Sequence, residues 1–482
     1  MSNDPKLLAA QAQSLKAQGR LHEAITLYEA AVASAPGSAA AEHNLAAALG
    51  DAGRWAEAEE HMRAAFAKGA KAPESWLVLA RCLQAGGRFE EAEHAFRKAL
   101  ELRTAFGDAH FDLAQLLWMR TGDPVRATHR VDQALAAQPD DVALALVRAR
   151  IIENTRGAAA ARGDAEDLTR RHPLNLPVMV YASQIAAQCG APDAALSHAQ
   201  RASRFAPQDN VVAVTLISAL LGAGDAARAA LEAEALLRRA PEDQHAIALL
   251  ATAWRILGDP RYAALHDYDG LVRTSYLDTP HGWRNLEAYV ADLARALRHA
   301  HQAVSHPFNQ SIRHGSQVPD ILGIDDPAIA VLPSALAPAI ARYVADIGKG
   351  DDPLRRRNRG GYAFQGVWSI RMQAGGYHLD HVHPKGWISS ACYIETPPTG
   401  VGAEGWIRFG APGIATSPRL EAEHYVEPKP GMLVLFPSYM WHGVIPYASP
   451  ATRMTFAFDL EPAVLSAAAP AGSNPARDQA LP

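Results

Sequence analysis

Three histidines toward the C-terminus stand in a pattern with chemical content. His381 and His383 are separated by Val382, His442 follows after a long excursion, and Arg453 and Thr455 come eleven and thirteen residues beyond it. Imidazole is a good ligand for iron(II), and three of them leave coordination positions open for a bidentate co-substrate and for O2. Arginine presents a planar fork of donors that matches a carboxylate, often through two parallel hydrogen bonds. A metal centre with an arginine for the far carboxylate of a dicarboxylic acid is the chemistry these residue types could perform.

Their placement asks for strands. His381 and His383 sit two apart, so on an extended strand they project from one face, and Pro384 then ends that strand. His442 follows the apolar run "GMLVLFPSYMW", which would bring a third ligand across from a neighbouring sheet. Thr455 shares a strand face with Arg453. A second ligand pair competes with the first, because His378-Leu379-Asp380 is an H-x-D set, the commoner first half of a two-histidine, one-carboxylate site. On one uninterrupted strand over 378–383, His378 and Asp380 would face away from His381 and His383, and only one pair could line the interior.

The elements that carry these residues occupy the second half of the chain. "YAFQGVWSIRMQAGG", "WISSACYIETPP", "GWIRFGAPG", "GMLVLFPS" and "RMTFAFDLEP" read as strands bounded by Gly and Pro. Helices are expected over 285–302 and 334–347, so this half is an α+β module on a β-sandwich or barrel. The final stretch, "SAAAPAGSNPARDQALP", is poor in bulky apolar residues and reads as a disordered tail. The basic run Arg355-Arg356-Arg357-Asn358-Arg359 is expected to be a solvated loop. Gln310, Arg313 and Gln317 are candidates for the mouth of the site. Trp368, Trp387, Trp406 and Trp441 are expected in the core or lining a pocket, and Cys392 as a small buried hydrophobe.

The first half is periodic. Gly19, Gly53, Gly87, Gly122, Gly157, Gly190, Gly224 and Gly258 recur at spacings of 33 to 35 residues, and Pro36, Pro139, Pro173, Pro207 and Pro241 keep the same period. Five residues after each glycine stands an alanine (Ala24, Ala58, Ala92, Ala127, Ala195, Ala229, Ala263), except at Arg162. Glycine permits a tight turn between antiparallel helices and alanine lets their backbones approach. Each helix pair must stack on its neighbours to bury its apolar face.

Composition bounds the rest. The 482 residues are 49% apolar and 20% charged with net charge −5, which suits two or three globular domains and argues for no nucleic-acid or membrane partner. Three scattered cysteines form no disulfide framework, and the polar start lacks a signal-peptide core. No apolar run is long enough to span a bilayer, so a cytoplasmic location is expected. Neither a phosphate-binding glycine loop nor a nucleophile elbow accompanies the histidines.

Two resemblances follow. Segments such as "AEHNLAAALGDAGRWAEAEEHMRAAFAKGA" and "ESWLVLARCLQAGGRFEEAEHAFRKALELR" resemble the tetratricopeptide repeat over about 5–262. "HPFNQSIRHGSQ", "VWSIRMQAGGYHLDHVHPKGWISSACYIETPP", "GMLVLFPSYMWHGVIPY" and "RMTFAFDL" resemble bacterial 2-oxoglutarate/Fe(II) oxygenases fused to such repeats, over about 264–462. The resemblance implies an all-α tetratricopeptide-repeat solenoid over 1–262, of about seven units, that binds a protein or peptide. An α+β double-stranded β-helix (jelly-roll) domain would follow over 263–462, and a tail over 463–482.

It also implies Fe(II) and 2-oxoglutarate as cofactor and co-substrate, O2 as oxidant, and hydroxylation as the reaction. The shared histidines fall at His381, His383 and His442, which favours the three-histidine site and leaves Asp380 to orient an imidazole N–H. Arg453, Thr455 and Tyr393 fall where relatives bind the co-substrate, and no catalytic residue is implied beyond the metal centre. Two rivals remain: a cupin-type dioxygenase, which would need a glutamate nearer than Glu395, and a non-catalytic repeat scaffold with a degenerate jelly roll.

Overall fold

The computed structural model of the chain describes residues 4–398 and 402–464. Two compact units emerge, Met1–Thr155 and Arg156–Pro482. Antiparallel helix pairs build the first: Pro5–Ala17 with Leu21–Ser34, Ala39–Asp51 with Trp55–Ala67, Pro73–Ala85 with Phe89–Leu102, and Gly107–Thr121 with Pro124–Ala137. The second opens on Ala158–Arg171, the pairs Leu176–Gln188 with Pro192–Phe205 and Asn210–Gly222 with Ala226–Arg239, and Gln244–Leu257. The chain is thus an N-terminal tetratricopeptide-type solenoid followed by a sheet domain of jelly-roll type. The 34-residue period ends near 262, whereas the packing unit that holds the sheet begins at 156.

All eight periodic glycines have φ between 64° and 86°, the left-handed region that side chains resist, so the turn itself demands glycine there. The alanine of the second helix is buried at Ala24, Ala58, Ala92, Ala127, Ala195 and Ala229. Two positions differ. The helix after Gly157 starts one residue later rather than two, so Ala161 takes the buried place and Arg162 points outward. Ala263 is exposed because Arg261–Leu265 is a single short turn with no following pair to cover it.

Nine antiparallel strands follow among the described residues: β1 (Arg273–Tyr276), β2 (Ile312–Val318), β3 (Gly360–His381), β4 (Ile388–Glu395), β5 (Ile407–Phe409), β6 (His424–Val426), β7 (Met432–Pro437), β8 (His442–Val444) and β9 (Arg453–Val464). Their order is β1-β7-β4-β9-β3-β8-β5-β6, with β2 on the other edge of β3. The long β3 makes this curled arrangement possible. Its residues 360–372 pair with β9, and its end, His378 and His381, pairs with β8. Of the tail expected over 463–482, only Ala463 and Val464 are described, and they complete β9.

Helices Leu286–Ala300 and Leu332–Ile347 cover one face, where Tyr289, Leu293, Ile340 and Val344 join Cys392, Leu433 and Phe456 in one core. Contrary to the sequence expectation, Pro327–Ile347 is long and apolar enough to cross a membrane. Its apolar face is spent on this core, and the Tyr343 hydroxyl donates to the Leu271 carbonyl. The arginine run is only partly solvated: Arg356 and Arg359 are exposed, but three of its arginines bond to backbone carbonyls. Arg355 donates to Ile347 O, Arg357 to Gly386 O, and Arg356 to Pro241 O.

Helix Gln244–Leu257 is the floor under the histidine-bearing segments. Val382 and Trp441, each beside a histidine, turn outward from the sheet and bury against Leu249, Leu250 and Ala253. The Trp441 indole donates to the Thr252 hydroxyl at 3.0 Å, and Gln244 N donates to Pro384 O at 3.4 Å. Arg255 adds bonds to the carbonyls of Gly410 and Glu421. Trp441→Ala is therefore expected to destabilise the second unit by about 3–5 kcal/mol, against about 1 kcal/mol for Thr252→Val. Denaturant midpoints of the two variants would check the ranking.

Candidate metal centre

His381 ends β3, His442 opens β8, and the two are direct partners in register. His383 lies two residues past β3, held by its own N–H to Ser438 O at 3.0 Å. One ring nitrogen from each of the three histidines lies within 4.8 Å of the others, and His381 Nε2 and His383 Nε2 are 3.3 Å apart.

Each Nδ1 is already committed. His381 Nδ1 donates to Leu379 O at 2.9 Å, and His442 Nδ1 donates to Met440 O at 2.9 Å. His383 Nδ1 donates to Asp459 Oδ2 at 2.6 Å. A neutral imidazole carries one proton, so with Nδ1 committed the Nε2 of His381 and of His442 is an acceptor, and His381 Nε2 lies 3.3 Å from His383 Nε2 and 3.2 Å from Ser311 Oγ. Burial, then repulsion from His383, pushes His381 down to about 3. Burial and the neighbouring histidines likewise hold His442 well below its ordinary value. Neutral imidazoles are the ligand-competent form. Metal–nitrogen bonds of about 2.1 Å place two ligand nitrogens about 3.0–3.4 Å apart, so the observed 3.3 Å fits a cation between His381 and His383.

Asp459 is the residue the sequence reading missed. Its second oxygen accepts from Ser389 Oγ at 2.7 Å, and Ser389 Oγ lies 2.8 Å from Ser438 Oγ, which fixes the carboxylate that orients His383. A signal existed in "RMTFAFDL": Asp459 shares the β9 face of Arg453 and Thr455 and is a charge inside an apolar strand.

Asp380 does not take the orienting role expected of it. It forms a two-point pair with Arg408, at 2.9 and 2.5 Å, beside Gly443, where a Cβ would lie 2.5 Å from Asp380 Oδ1. Nor does His378 face away from His381. The register shifts between them, and their rings stack with centroids 5.8 Å apart. Glu395, the glutamate nearest to a cupin pattern, is bound by Arg298 at 2.7 Å.

Beyond the histidines, apolar side chains cluster on one face of the sheet. Trp368 stacks against His383 with centroids 5.7 Å apart, and Ile370, Met372, Ala457 and Tyr447 cluster beside it. Arg453 lies at the far end of β9 and is only 2% exposed. Among the described residues no carboxylate pairs with it. Its contacts include the Met372 sulfur at 4.0 Å and the Tyr393 side chain, whose ring centre is 5.3 Å away, while Arg453 Nε has no acceptor. Thr455 is buried opposite Tyr393 in register. A buried charge without a carboxylate partner costs several kcal/mol, a cost that an anion beside Arg453 would offset. The arginine, the neighbouring phenol and the three histidines thus fit a dicarboxylate and a divalent cation.

Gln310, Arg313 and Gln317 are less informative. Arg313 folds back on the carbonyls of Gln310 and Ile312. Cys392 is buried, and burial pushes its thiol well above its usual value. Asp459→Ala is expected to lower divalent-metal affinity about 10–100-fold, read by cobalt(II) titration monitored in the visible spectrum.

Comparison with solved structures finds tetratricopeptide-repeat proteins. One from Parabacteroides merdae is 17% identical, covering 52% of this chain and 98% of its own, with a TM-score of 0.37. A thermophilic one from Thermus thermophilus is 19% identical, covering 38% and 98%, with a TM-score of 0.32. The Pseudomonas aeruginosa pilF protein is 18% identical, covering 43% and 94%, with a TM-score of 0.31. No curated protein matches the sequence. Residues 15–151 match the tetratricopeptide repeat in three overlapping segments. Residues 366–459, which contain all three histidines, Tyr393, Arg453, Thr455 and Asp459, match the family described as "Putative 2OG-Fe(II) oxygenase".

Proposed function

We propose that the sheet domain is a 2-oxoglutarate- and Fe(II)-dependent dioxygenase that hydroxylates a protein or peptide substrate positioned by the repeat helices. The observation that carries this reading is the convergence of three imidazole rings, each with its Nδ1 committed to a hydrogen bond elsewhere and one ring nitrogen of each within 4.8 Å of the others. Iron(II) bound there would supply O2-activating chemistry, with 2-oxoglutarate yielding succinate and CO2 as a substrate C–H becomes C–OH.

The chain's own residues do the rest. His381, His383 and His442 would hold the ion, and Asp459 keeps His383 in the correct tautomer and orientation. Arg453, with Tyr393 and Thr455 beside it, would receive the distal carboxylate, whose charge answers the buried guanidinium. Trp368, Met372 and Ile370 form an apolar wall that excludes water between the two ends. The repeats favour a macromolecular substrate, since stacked helix pairs present an extended surface. The three free cysteines suit a reducing, cytoplasmic setting.

Succinate release from 2-oxoglutarate by the full chain with iron(II), ascorbate and air tests the reading. Wild type is expected to release succinate, with more in the presence of cell lysate, and His442→Ala none. Arg453→Ala is expected to raise the 2-oxoglutarate concentration needed by about 10–100-fold, the worth of losing hydrogen bonds to a charged partner. Retention of no iron and release of no succinate by wild type would leave a non-catalytic scaffold.

A further inference from the structure

Ser311 is tied to two histidines at once. Its Oγ lies 2.8 Å from His378 Nδ1 and 3.2 Å from His381 Nε2. The direction of both bonds follows from the proton already placed on His381. Because His381 Nδ1 donates to Leu379 O, His381 Nε2 can only accept, so the Ser311 hydroxyl donates to it. His378 Nδ1–H then donates to Ser311 Oγ, and the serine becomes the middle of a one-way chain that ends on a ligand nitrogen.

The backbone around Ser311 is built to hold it there. Asn309 and His314, at φ 57° and 53°, are the two non-glycine residues with positive φ among the described residues, and they flank it. Leu379 N donates to Ser311 O at 2.9 Å, and Ile312 pairs with His378 in register. β2 is irregular between Arg313 and Gly315, where a Cβ on Gly315 would lie 2.4 Å from Arg371 O. Strain of this kind, on both sides of one hydroxyl, is what a functional position carries.

The arrangement changes meaning once His381 Nε2 gives its lone pair to a metal ion. Ser311 O–H then loses its acceptor while His378 still holds the oxygen from behind. A part-buried hydroxyl held in that position is free to donate to a new acceptor. We propose that Ser311, held by His378, donates a hydrogen bond to the 2-oxo-acid end of the co-substrate beside His381. Arg453 would then hold one end of the dicarboxylate and Ser311 the other, with His378 a positioning residue. This rests on the three histidines being the metal centre.

The test is anaerobic calorimetry on the full chain, first with cobalt(II) or iron(II) and then with 2-oxoglutarate on the metal-loaded protein. Ser311→Ala is expected to keep its metal affinity within about twofold while losing about tenfold in 2-oxoglutarate affinity. Ser311→Thr, which retains the hydroxyl, is expected to recover most of that loss, and His378→Phe to lose part of it. Wild-type 2-oxoglutarate affinity in Ser311→Ala overturns the proposal. So does a joint loss of metal and 2-oxoglutarate binding there, which would make Ser311 a support for the histidines only. Absence of metal or 2-oxoglutarate binding by wild type instead removes the metal-centre reading beneath it.

Discussion

Three imidazole rings held against one another are the constraint around which this sheet domain is organised. Each ring is prevented from turning by its other nitrogen. Two of those nitrogens bond to backbone carbonyls two residues back along their own segments, Leu379 and Met440. The third bonds to the carboxylate of Asp459, which Ser389 holds from the far side. Orientation is thus stored in hydrogen bonds that need no metal, and a cation entering the site meets donors already aimed.

Strand alternation carries this arrangement outward in two directions. Inward-facing positions on β9 run Arg453, Thr455, Ala457, Asp459, so one strand links the anion end of the pocket to the carboxylate that steers a ligand. The positions between the histidines face the other way, and Val382 and Trp441 are buried in the helical layer of the same unit. The ligand-bearing segments are therefore clamped between the sheet and the helix Gln244–Leu257. The repeat helices from 156 onward belong to the same packing unit as the sheet.

Departures from simple periodicity mark where tertiary forces prevailed. A strict two-residue period over 378–383 would have separated His378 from His381, but the register shift between them stacks the two rings. Asp380 leaves the site because Arg408 on β5 offers a two-point partner, and Gly443 opposite has no Cβ to keep them apart. In the solenoid, the one-residue shortening after Gly157 moves the buried small residue to Ala161, which is why Arg162 is tolerated where alanine recurs elsewhere.

The sequence by itself determined the repeat architecture, since a 34-residue recurrence of left-handed glycines and small residues has one efficient way to bury its apolar faces. It also offered the histidines as candidate ligands and Arg453 as a candidate anion partner, because type and spacing express those roles locally. Only the tertiary structure decided which carboxylate serves the site. Asp380 and Asp459 are both acids on strands, and choosing between them depends on which strand lies opposite. It alone brought Ser311 and His378 to His381, and it alone made the last repeat helix the floor beneath the histidine cluster. Those are contacts between residues tens to hundreds of positions apart, set by strand register and packing, to which neither local spacing nor composition is sensitive.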